Sequence, residues 1–465
     1  MIYILFIFLI IMAIVAYLCN GKEILSIWFI TTVMFIISVG TVIANMQYFK
    51  TDISVITFAV ILISLFSIGI GEMIAMSMIY SNQRQHRIGG QSEHFNSDSL
   101  VFENIRDAGN PIIIKPSTIV LISIFIFSIA FIQFYKLYKF SLTLGNPGLP
   151  FLTAAYTRNA ILNGEYSGGR LLGWASTFSG CVAYFFTYLF FMNRYIYCFK
   201  NYLYLLPMGA YFFTCFSSTA RTGFIQIIAV FLVIMLVFKK ADCDWSWRNN
   251  RTIIKDAMIA LVAFFVIFGF LGQMGAKQGE IYDWRYKIPI YSGASIIGFD
   301  YFLTHPKSSN MLFGQETLKW FYEILNSELG FRFQYENFKP FFSWGYGESN
   351  IYSALRDPIQ DYGILPSFIL QCLIGFFYGL WIQKIKSIKN WIDKSTYLIM
   401  FALFMYPIFM YSIANVFSSI LKMATIMQFV FLYLLKRYFI TLPSNKCLLQ
   451  SHELANQDVC NRNLK

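Results

Sequence analysis

The chain has 465 residues, of which 57% are hydrophobic and only 13% are charged. This composition excludes the ordinary soluble globular class and predicts a protein that crosses a membrane several times. The net charge of +12 does not indicate nucleic-acid binding, because the basic residues are spread over many loops and no soluble domain gathers them.

Apolar segments long enough to cross a bilayer recur along the chain. A crossing takes about 20 mainly apolar residues, and the sequence holds about eleven candidates of this length. They lie at 2–19, 24–44, 53–72, 117–135, 171–192, 202–219, 223–238, 257–273, 362–381, 395–413 and 416–435. No internal repeat or low-complexity linker divides the chain. We therefore predict an all-α polytopic membrane protein, with a single transmembrane domain over 1–440 and a tail over 441–465.

Lysine and arginine residues in short loops indicate the orientation, because cytoplasmic loops carry an excess of them. The segments after the seventh and ninth predicted spans, 239–255 and 384–394, are basic and are expected on the cytoplasmic side. Alternation then places the N-terminus and two large segments, 136–170 and 274–361, on the outer face. The C-terminal tail is expected in the cytoplasm.

The second outer segment, 274–361, is about 88 residues long, far beyond an ordinary connection. Because it is rich in aromatic residues, we expect it to fold against the membrane bundle. Within it, apolar residues at helical spacing predict an amphipathic helix over 311–327, packed either on the membrane surface or on the protein. Neither outer segment contains cysteine, so no disulfide framework is expected there.

The stretch SNIYSALRDPIQDYG, residues 349–363, leads into the ninth predicted span. Asp357, Pro358 and Gln360 have the chemistry of a helix start, with an acidic cap, proline at the first helical position and glutamine three residues after the cap. This helix N-terminus is expected to face outward, where its unpaired N–H groups suit an anion. Pro366 either kinks the helix or belongs to its true first turn.

Metal and nucleotide sites are not indicated. The four histidines lie in different segments without cysteines at ligand spacing, and neither glycine-rich phosphate-binding motif is present. We therefore expect no cofactor.

Arginines on the predicted outer face are candidates for binding phosphate. The guanidinium group is permanently charged, and its flat fork of donors matches phosphate oxygens. Some of them are also explained as solvated loop residues or as side chains that reach lipid head groups. Arg221 is favoured, because it lies in a very short turn between two spans. The candidates are Arg158, Arg170, Arg221, Arg285 and Arg356.

Carboxylates on the same face supply the only general bases that the sequence offers. A sugar hydroxyl that attacks an anomeric carbon needs such a group within hydrogen-bond reach, and a departing diphosphate needs positive charge. The candidate bases are Asp361, Glu348 and Asp300. The candidates for binding sugar, through an amide or an aromatic ring face, are Asn350, Tyr352 and Tyr291.

Four stretches occur in an order that resembles one membrane family. They are SSTARTGF (217–224), IYSGASIIGFDYFL (290–303), LFGQETL (312–318) and SNIYSALRDPIQDYGILPSFI (349–369). With the eleven-span layout, their order resembles the Wzy-type O-antigen polymerases, also called oligosaccharide repeat-unit polymerases, over roughly 150–440.

The resemblance implies a GT-C-like glycosyltransferase of the bacterial inner membrane, with short helices in its large periplasmic loop. Such an enzyme transfers a growing glycan from undecaprenyl diphosphate onto a lipid-linked oligosaccharide repeat unit at the periplasmic face, without a cofactor. Its partners would be these lipids and the bilayer, with a separate chain-length regulator as a further candidate and no nucleic acid. Family members carry an arginine and a glycine separated by ten residues in outer loops. Arg158 and Gly169 match this pattern, whereas Arg285 has no glycine at the matching distance.

Two other functions stay open. A flippase or transporter of lipid-linked oligosaccharides would bury several charged groups within its spans, and these spans are nearly free of charge. The main exception, Glu72, lies near the predicted cytoplasmic end of the third span, where it is expected to reach water. An O-antigen ligase shares the donor chemistry, and only the resemblance favours the polymerase over it.

Overall fold

The computed structural model describes residues 1–49, 52–89, 111–162, 165–166, 168–217, 222–247, 250–256, 258–259, 284–305, 312–335, 339–344, 347–388 and 390–441. Within this part of the chain the regular structure is helical apart from one two-stranded hairpin. Nine of the described helices are long and apolar enough to cross a membrane. They are Ile2–Cys19, Ile27–Ala44, Val55–Ile79, Pro116–Thr143, Arg170–Tyr195, Gly223–Ala241, Ile364–Lys386, Ile392–Phe409 and Met423–Ile440. The protein is thus an all-α polytopic membrane protein, as predicted.

The elements follow one another with short connections. In the first half they are α1 (Ile2–Cys19), α2 (Ile27–Ala44), α3 (Met46–Phe49), α4 (Val55–Gly89), α5 (Pro116–Thr143), α6 (Thr153–Leu162), α7 (Arg170–Tyr195), α8 (Leu206–Phe212) and α9 (Thr222–Ala241). In the second half they are α10 (Trp284–Thr304), α11 (Lys319–Leu329), β1 (Phe342–Ser343), β2 (Glu348–Ser349), α12 (Arg356–Tyr362), α13 (Ile364–Lys386), α14 (Ser395–Phe409), α15 (Phe417–Ile420) and α16 (Met423–Lys436). The strands pair antiparallel, with Phe342 opposite Ser349.

Nine of the predicted spans have counterparts among these helices, and two do not. The segment predicted at 202–219 is not one continuous α-helix, because a 3-10 turn over Tyr202–Leu205, α8 and a second 3-10 turn over Phe213–Ser217 follow one another. Pro207 stands in the first turn of α8, where the helix starts anew. The segment predicted at 257–273 falls almost wholly outside the described residues.

Helix ends also differ from the prediction. α4 continues to Gly89 and α5 to Thr143, well beyond their apolar cores, because backbone hydrogen bonding does not require apolar side chains. The connection that follows α5 is correspondingly shorter than predicted. In the second outer segment, the predicted amphipathic helix begins later, at Lys319, after a turn over 312–318.

The sequence does not predict α10, which forms most of the first part of the second outer segment. Its residues from Ser292 to Phe299 are buried, with Gly293 facing Phe49 of α3 and Val42 of α2. A helix buried this completely shows no amphipathic stripe, and stripes were the signal available within that segment.

Contacts divide the chain into two compact units. The first unit contains Met1–Glu93, Asp283–Ser387 and Phe404–Met423. The second contains His94–Tyr282, Ile388–Leu403 and Ala424–Lys465.

In the first unit, α4 and α13 pack closely because small residues meet between them. A side-chain carbon added to Gly375 of α13 would lie 2.0 Å from the carbonyl oxygen of Ile68 in α4. One added to Gly71 of α4 would lie 1.9 Å from the carbonyl oxygen of Cys372. Small residues allow this approach, which supplies packing energy where lipid provides no hydrophobic drive for helix association.

Polar contacts identify the two ends of the first unit. The N-terminal ammonium group of Met1 lies 2.5 Å from Asp52, just before α4. At the turn between α1 and α2, Glu23 lies 3.1 Å from Lys386, the last residue of α13. The starts of α1 and α4 therefore share one end of the unit, and the last turn of α13 lies at the other end.

Glu72 of α4 is buried, with 2% of its surface exposed, so the expectation that it reaches water is wrong. Its carboxylate accepts hydrogen bonds from Ser26 Oγ at 2.8 Å and from the backbone N–H of Trp28 at 3.1 Å. Both donors belong to the start of α2, where N–H groups lack intrahelical partners. The charge therefore stabilises a helix start inside the bundle.

Replacing Gly375 by alanine should destabilise the protein by about 1–3 kcal/mol, because the added methyl group meets backbone rather than a movable side chain. The measurement is the thermal unfolding midpoint of the purified protein in detergent. Gly173→Ala is the matched control, since a side-chain carbon there meets nothing within 4 Å in helix α7. Equal midpoints for the two variants would contradict the close contact.

Candidate functional site

A cluster of charged side chains lies at the start of α12 in the first unit. Arg356 and Asp357 are 4% and 3% exposed. Arg356 Nη1 lies 3.4 Å from Glu316 Oε2 and 3.3 Å from Asp357 Oδ1, and Lys339 Nζ lies 2.6 Å from Asp357 Oδ1. We name these four residues the Arg356 cluster.

The local fold brings Glu316 to this place. Asp361, in the last turn of α12, accepts hydrogen bonds from the backbone N–H groups of Glu316 at 3.2 Å and Thr317 at 2.6 Å. These bonds hold the turn over 312–318 against α12. The Glu316 side chain is thereby carried to the guanidinium group of Arg356.

Asp357 does not cap α12, contrary to the prediction. The helix begins one residue earlier, at Arg356, and its N-cap is Leu355. Asp357 Oδ1 accepts from Lys339, and Oδ2 accepts from Asn415 Nδ2 at 2.8 Å. Asp357 therefore acts as a counter-charge for distant segments, a role that outweighs helix capping in a buried setting.

The predicted ninth span is divided into two helices. α12 ends at Tyr362, Gly363 adopts a φ of 87°, and α13 begins at Ile364. Pro366 lies in the first turn of α13, where a missing N–H costs no intrahelical hydrogen bond. Of the two alternatives for Pro366, the first turn is the observed one.

Two aromatic rings lie against Arg356. The guanidinium carbon is 4.9 Å from the ring centroid of Tyr352 and 5.3 Å from that of Phe302. The Tyr352 hydroxyl donates to the carbonyl oxygen of Pro340 at 2.9 Å, and burial raises the pKa of Tyr352 to about 12. The rings exclude water from the guanidinium and also attract its charge.

Arg356 has one donor without a partner. Among the described residues, its buried Nε atom has no hydrogen-bond acceptor. Leaving such a donor unpaired costs about 1–3 kcal/mol, and buried groups of this kind are uncommon in native proteins. An acceptor oxygen from a bound molecule would satisfy it.

Glu316 has the most perturbed carboxyl group of the cluster. Burial raises its pKa above the ordinary value and Asp357 raises it further, while Arg356 and Lys339 act in the opposite direction. Its side chain is 15% exposed, whereas that of Asp357 is 4% exposed. A carboxyl group with a raised pKa that solvent can still reach is suited to general acid and base chemistry.

The three predicted bases have other positions. Asp361 uses both carboxylate oxygens to hold the turn over 312–318. Asp300 Oδ1 accepts from Ser54 N, Ser54 Oγ and Thr57 Oγ1 at 2.7, 2.6 and 2.7 Å, at the start of α4. Glu348 is exposed in β2, opposite Ser343. The geometry favours structural roles for Asp361 and Asp300, and it brings none of the three into contact with Arg356.

Two of the predicted binding residues, Arg356 and Tyr352, meet in the cluster. Asn350 follows β2 and Tyr291 belongs to α10, and both are partly exposed. Arg285 is the second residue of α10, but its side chain lies outside the described part of the chain, as does Arg221 altogether.

The other two predicted arginines belong to the second unit. Arg170 is the first residue of α7, and it helps to line a cavity of 560 Å³ together with Gln133, Tyr166 and Thr214. Gln133 Nε2 donates to the carbonyl oxygen of Leu172 at 3.2 Å. Arg158 lies in α6, is partly exposed and does not line this cavity.

Sequence reasoning does not select Glu316, Lys339 or Asn415 as site residues. Glu316 stands in LFGQETL, so a carboxylate inside a stretch that carries the resemblance was the available signal. Lys339 and Asn415 are 18 and 58 residues from Asp357 and lie in irregular segments that no local pattern marks.

Comparison of the chain with family models, with curated proteins and with solved structures gives no match. The fold defines the class, an all-α polytopic membrane protein, and the interpretation of the Arg356 cluster depends on its own geometry.

Replacing Asp357 by asparagine should lower the thermal unfolding midpoint strongly, because Lys339 and Arg356 lose their shared counter-charge in a buried place. Removing one partner of a buried ion pair costs about 3–5 kcal/mol. Asp52→Asn is the control, since Asp52 is 55% exposed and such surface pairs contribute about 0–1 kcal/mol. A midpoint for Asp357→Asn as high as that of the control would remove the counter-charge role.

Proposed function

We propose that the protein is a membrane glycosyltransferase of the O-antigen polymerase type. It would transfer a glycan from undecaprenyl diphosphate onto a lipid-linked repeat unit at the periplasmic face of the bacterial inner membrane. The observation that supports this best is the Arg356 cluster, in which a buried guanidinium lies 3.4 Å from a partly exposed carboxyl group with a raised pKa. The order of the four sequence stretches supports the same reaction.

The position of the cluster suits a substrate held in the membrane. Phe302, which contacts Arg356, follows Asp300 by two residues in α10, and Asp300 binds the start of α4. The cluster is therefore at the end of the first unit where α1 and α4 begin. In this proposal that end faces the periplasm, as the distribution of lysine and arginine predicts.

In the proposed reaction, a hydroxyl of the acceptor sugar attacks the anomeric carbon of the donor glycan. Glu316 takes the hydroxyl proton as general base while the bond from the anomeric carbon to the diphosphate oxygen breaks. Polyprenyl diphosphate leaves with the bonding electrons. Tyr352 and Phe302 keep water away from the guanidinium, which strengthens its interaction with the developing negative charge.

The charge balance of the cluster fits this sequence of events. Arg356 and Lys339 are compensated by Asp357 and Glu316 before the reaction. Once Glu316 holds the proton, the cluster carries one net positive charge. That charge arises as the diphosphate becomes a leaving group, when it contributes to transition-state stabilisation rather than to ground-state binding.

The competing functions differ in what supports them. An O-antigen ligase would use the same donor chemistry, and the order of the four stretches favours the polymerase. A flippase would place charged groups along a path through its spans. Glu72, the charge that sequence reasoning noted in the third span, is occupied by the start of α2, so it does not support a transport path.

Deleting the gene in its own bacterium should leave surface polysaccharide that carries single repeat units in place of long chains. The reason is that repeat units would still be made, exported and ligated without being joined to one another. Gel electrophoresis of the surface polysaccharide measures the result. Complete loss of the polysaccharide would indicate a flippase or a ligase instead.

Glu316→Gln should abolish chain lengthening, because the amide cannot accept the hydroxyl proton. For the parent protein, activity should fall as the pH drops through the raised pKa of Glu316, since only the ionised carboxylate is a base. Polymerisation of purified lipid-linked repeat units at a series of pH values measures both effects.

Glu323→Gln is the matched control for this change. Glu323 lies in the same segment, but it pairs with Lys422 at 3.8 Å and is 33% exposed. Its variant should form chains of normal length. Normal chains from Glu316→Gln as well would eliminate Glu316 as the base.

A further inference from the structure

The polar side chains of α11 contact the protein. Glu323 pairs with Lys422, and Lys319 Nζ lies 5.3 Å from the ring centroid of Tyr335. Asn326 donates through Nδ2 to the carbonyl oxygen of Phe333 and accepts from its backbone N–H, both at 2.9 Å. A helix on the surface of a soluble protein normally turns its polar side toward water. In α11 that side is occupied by protein contacts.

The apolar side of α11 is exposed. No residue of α11 is buried, and Phe321 and Leu329 are 45% and 65% exposed. Phe313 and Phe331, on either side of the helix in sequence, are 75% and 52% exposed. We name these four residues the α11 apolar surface. Exposed apolar groups of this size, close together, mark an interaction site.

This surface continues the apolar stripe of α13. The ring of Phe313 lies 5.3 Å from that of Tyr362, and α13 begins two residues after Tyr362. One helical face of α13 exposes an apolar side chain at every fourth position. The exposed fractions are 76% for Leu365, 65% for Ile369, 57% for Leu373 and 55% for Phe377. Because α13 is long and apolar enough to span the membrane, lipid covers this stripe.

We propose that α11, with Phe313 and Phe331, is an interfacial anchor that inserts its apolar surface among the lipids where α13 enters the bilayer. Helices of this kind bury their apolar side about 5–10 Å into the boundary between head groups and acyl chains. The partner is lipid because the surface adjoins a stripe that lipid already covers. Lys422, which is 49% exposed beside α11, adds a positive charge suited to anionic head groups.

The anchor has a consequence for the Arg356 cluster. Glu316 lies in the turn between Phe313 and α11, and Asp361 holds that turn against α12. Insertion of residues on both sides of the turn places Glu316 at the level of the lipid head groups. The anchor itself does not depend on the proposed reaction.

Photo-crosslinking in vesicles tests the anchor. The photoreactive residue p-benzoylphenylalanine replaces Phe321 or Phe331 in the full chain, which is reconstituted in phosphatidylcholine and phosphatidylglycerol vesicles. Mass spectrometry of the irradiated protein measures lipid adducts. Ile369 on the stripe of α13 is the positive control, and Ser327, exposed on the polar side of α11, is the matched negative control. Phe321 and Phe331 should give at least about tenfold more adduct than Ser327.

Lipid adducts from Ile369 alone would overturn the proposal, because they would show that α11 stays in water. Crosslinked dimers from Phe321 would overturn it too, since a second copy of the chain would then cover the surface. The thermal unfolding midpoint of each variant checks its fold. Two separate crosslinking positions keep the test decisive if one substitution unfolds the protein.

Discussion

Asp357 compensates two cations at once, and the outer end of the first unit is organised around this pairing. One carboxylate oxygen accepts from Lys339, and the other accepts from Asn415. Backbone bonds reinforce the arrangement, as Ser353 donates to Ser295 of α10 at 3.3 Å and Ala354 donates to Tyr411 at 3.0 Å. Because an unpaired charge in such a place would be very costly, these segments are fixed relative to α12.

The same pairing determines what Arg356 can do. A guanidinium that faces two carboxylates is not an open anion site of the kind that an isolated arginine in a loop would form. Its favourable electrostatics become available only when one carboxylate is neutralised. Glu316 is the group that can change its charge, because it is partly exposed and its pKa is already raised. Proton uptake and anion stabilisation are thus linked within a few ångströms.

Sequence reasoning predicted the class of fold and most of the spans, because a bilayer requires long apolar helices that composition reveals directly. It failed where three-dimensional pairing decides the role of a residue. Asp357 has the sequence signature of a cap, yet its partners come from 18 and 58 residues away. Asp300, Asp361 and Glu72 looked free in the sequence, and each one satisfies backbone groups of another segment. Arg356 and Tyr352 were identified because their residue types are uncommon next to an apolar span.

Gly363 separates the chemistry from the membrane span. Its φ of 87° and ψ of 177° end α12 and start α13 within a single residue. A side-chain carbon there would meet nothing within 4 Å, so the backbone conformation alone requires glycine. Because no helical hydrogen-bond ladder runs through this joint, the lipid-facing residues of α13 can change during evolution without altering the alignment of α12. Homologues adapted to membranes of different thickness would then be expected to vary in α13 while keeping this one glycine and the residues before it.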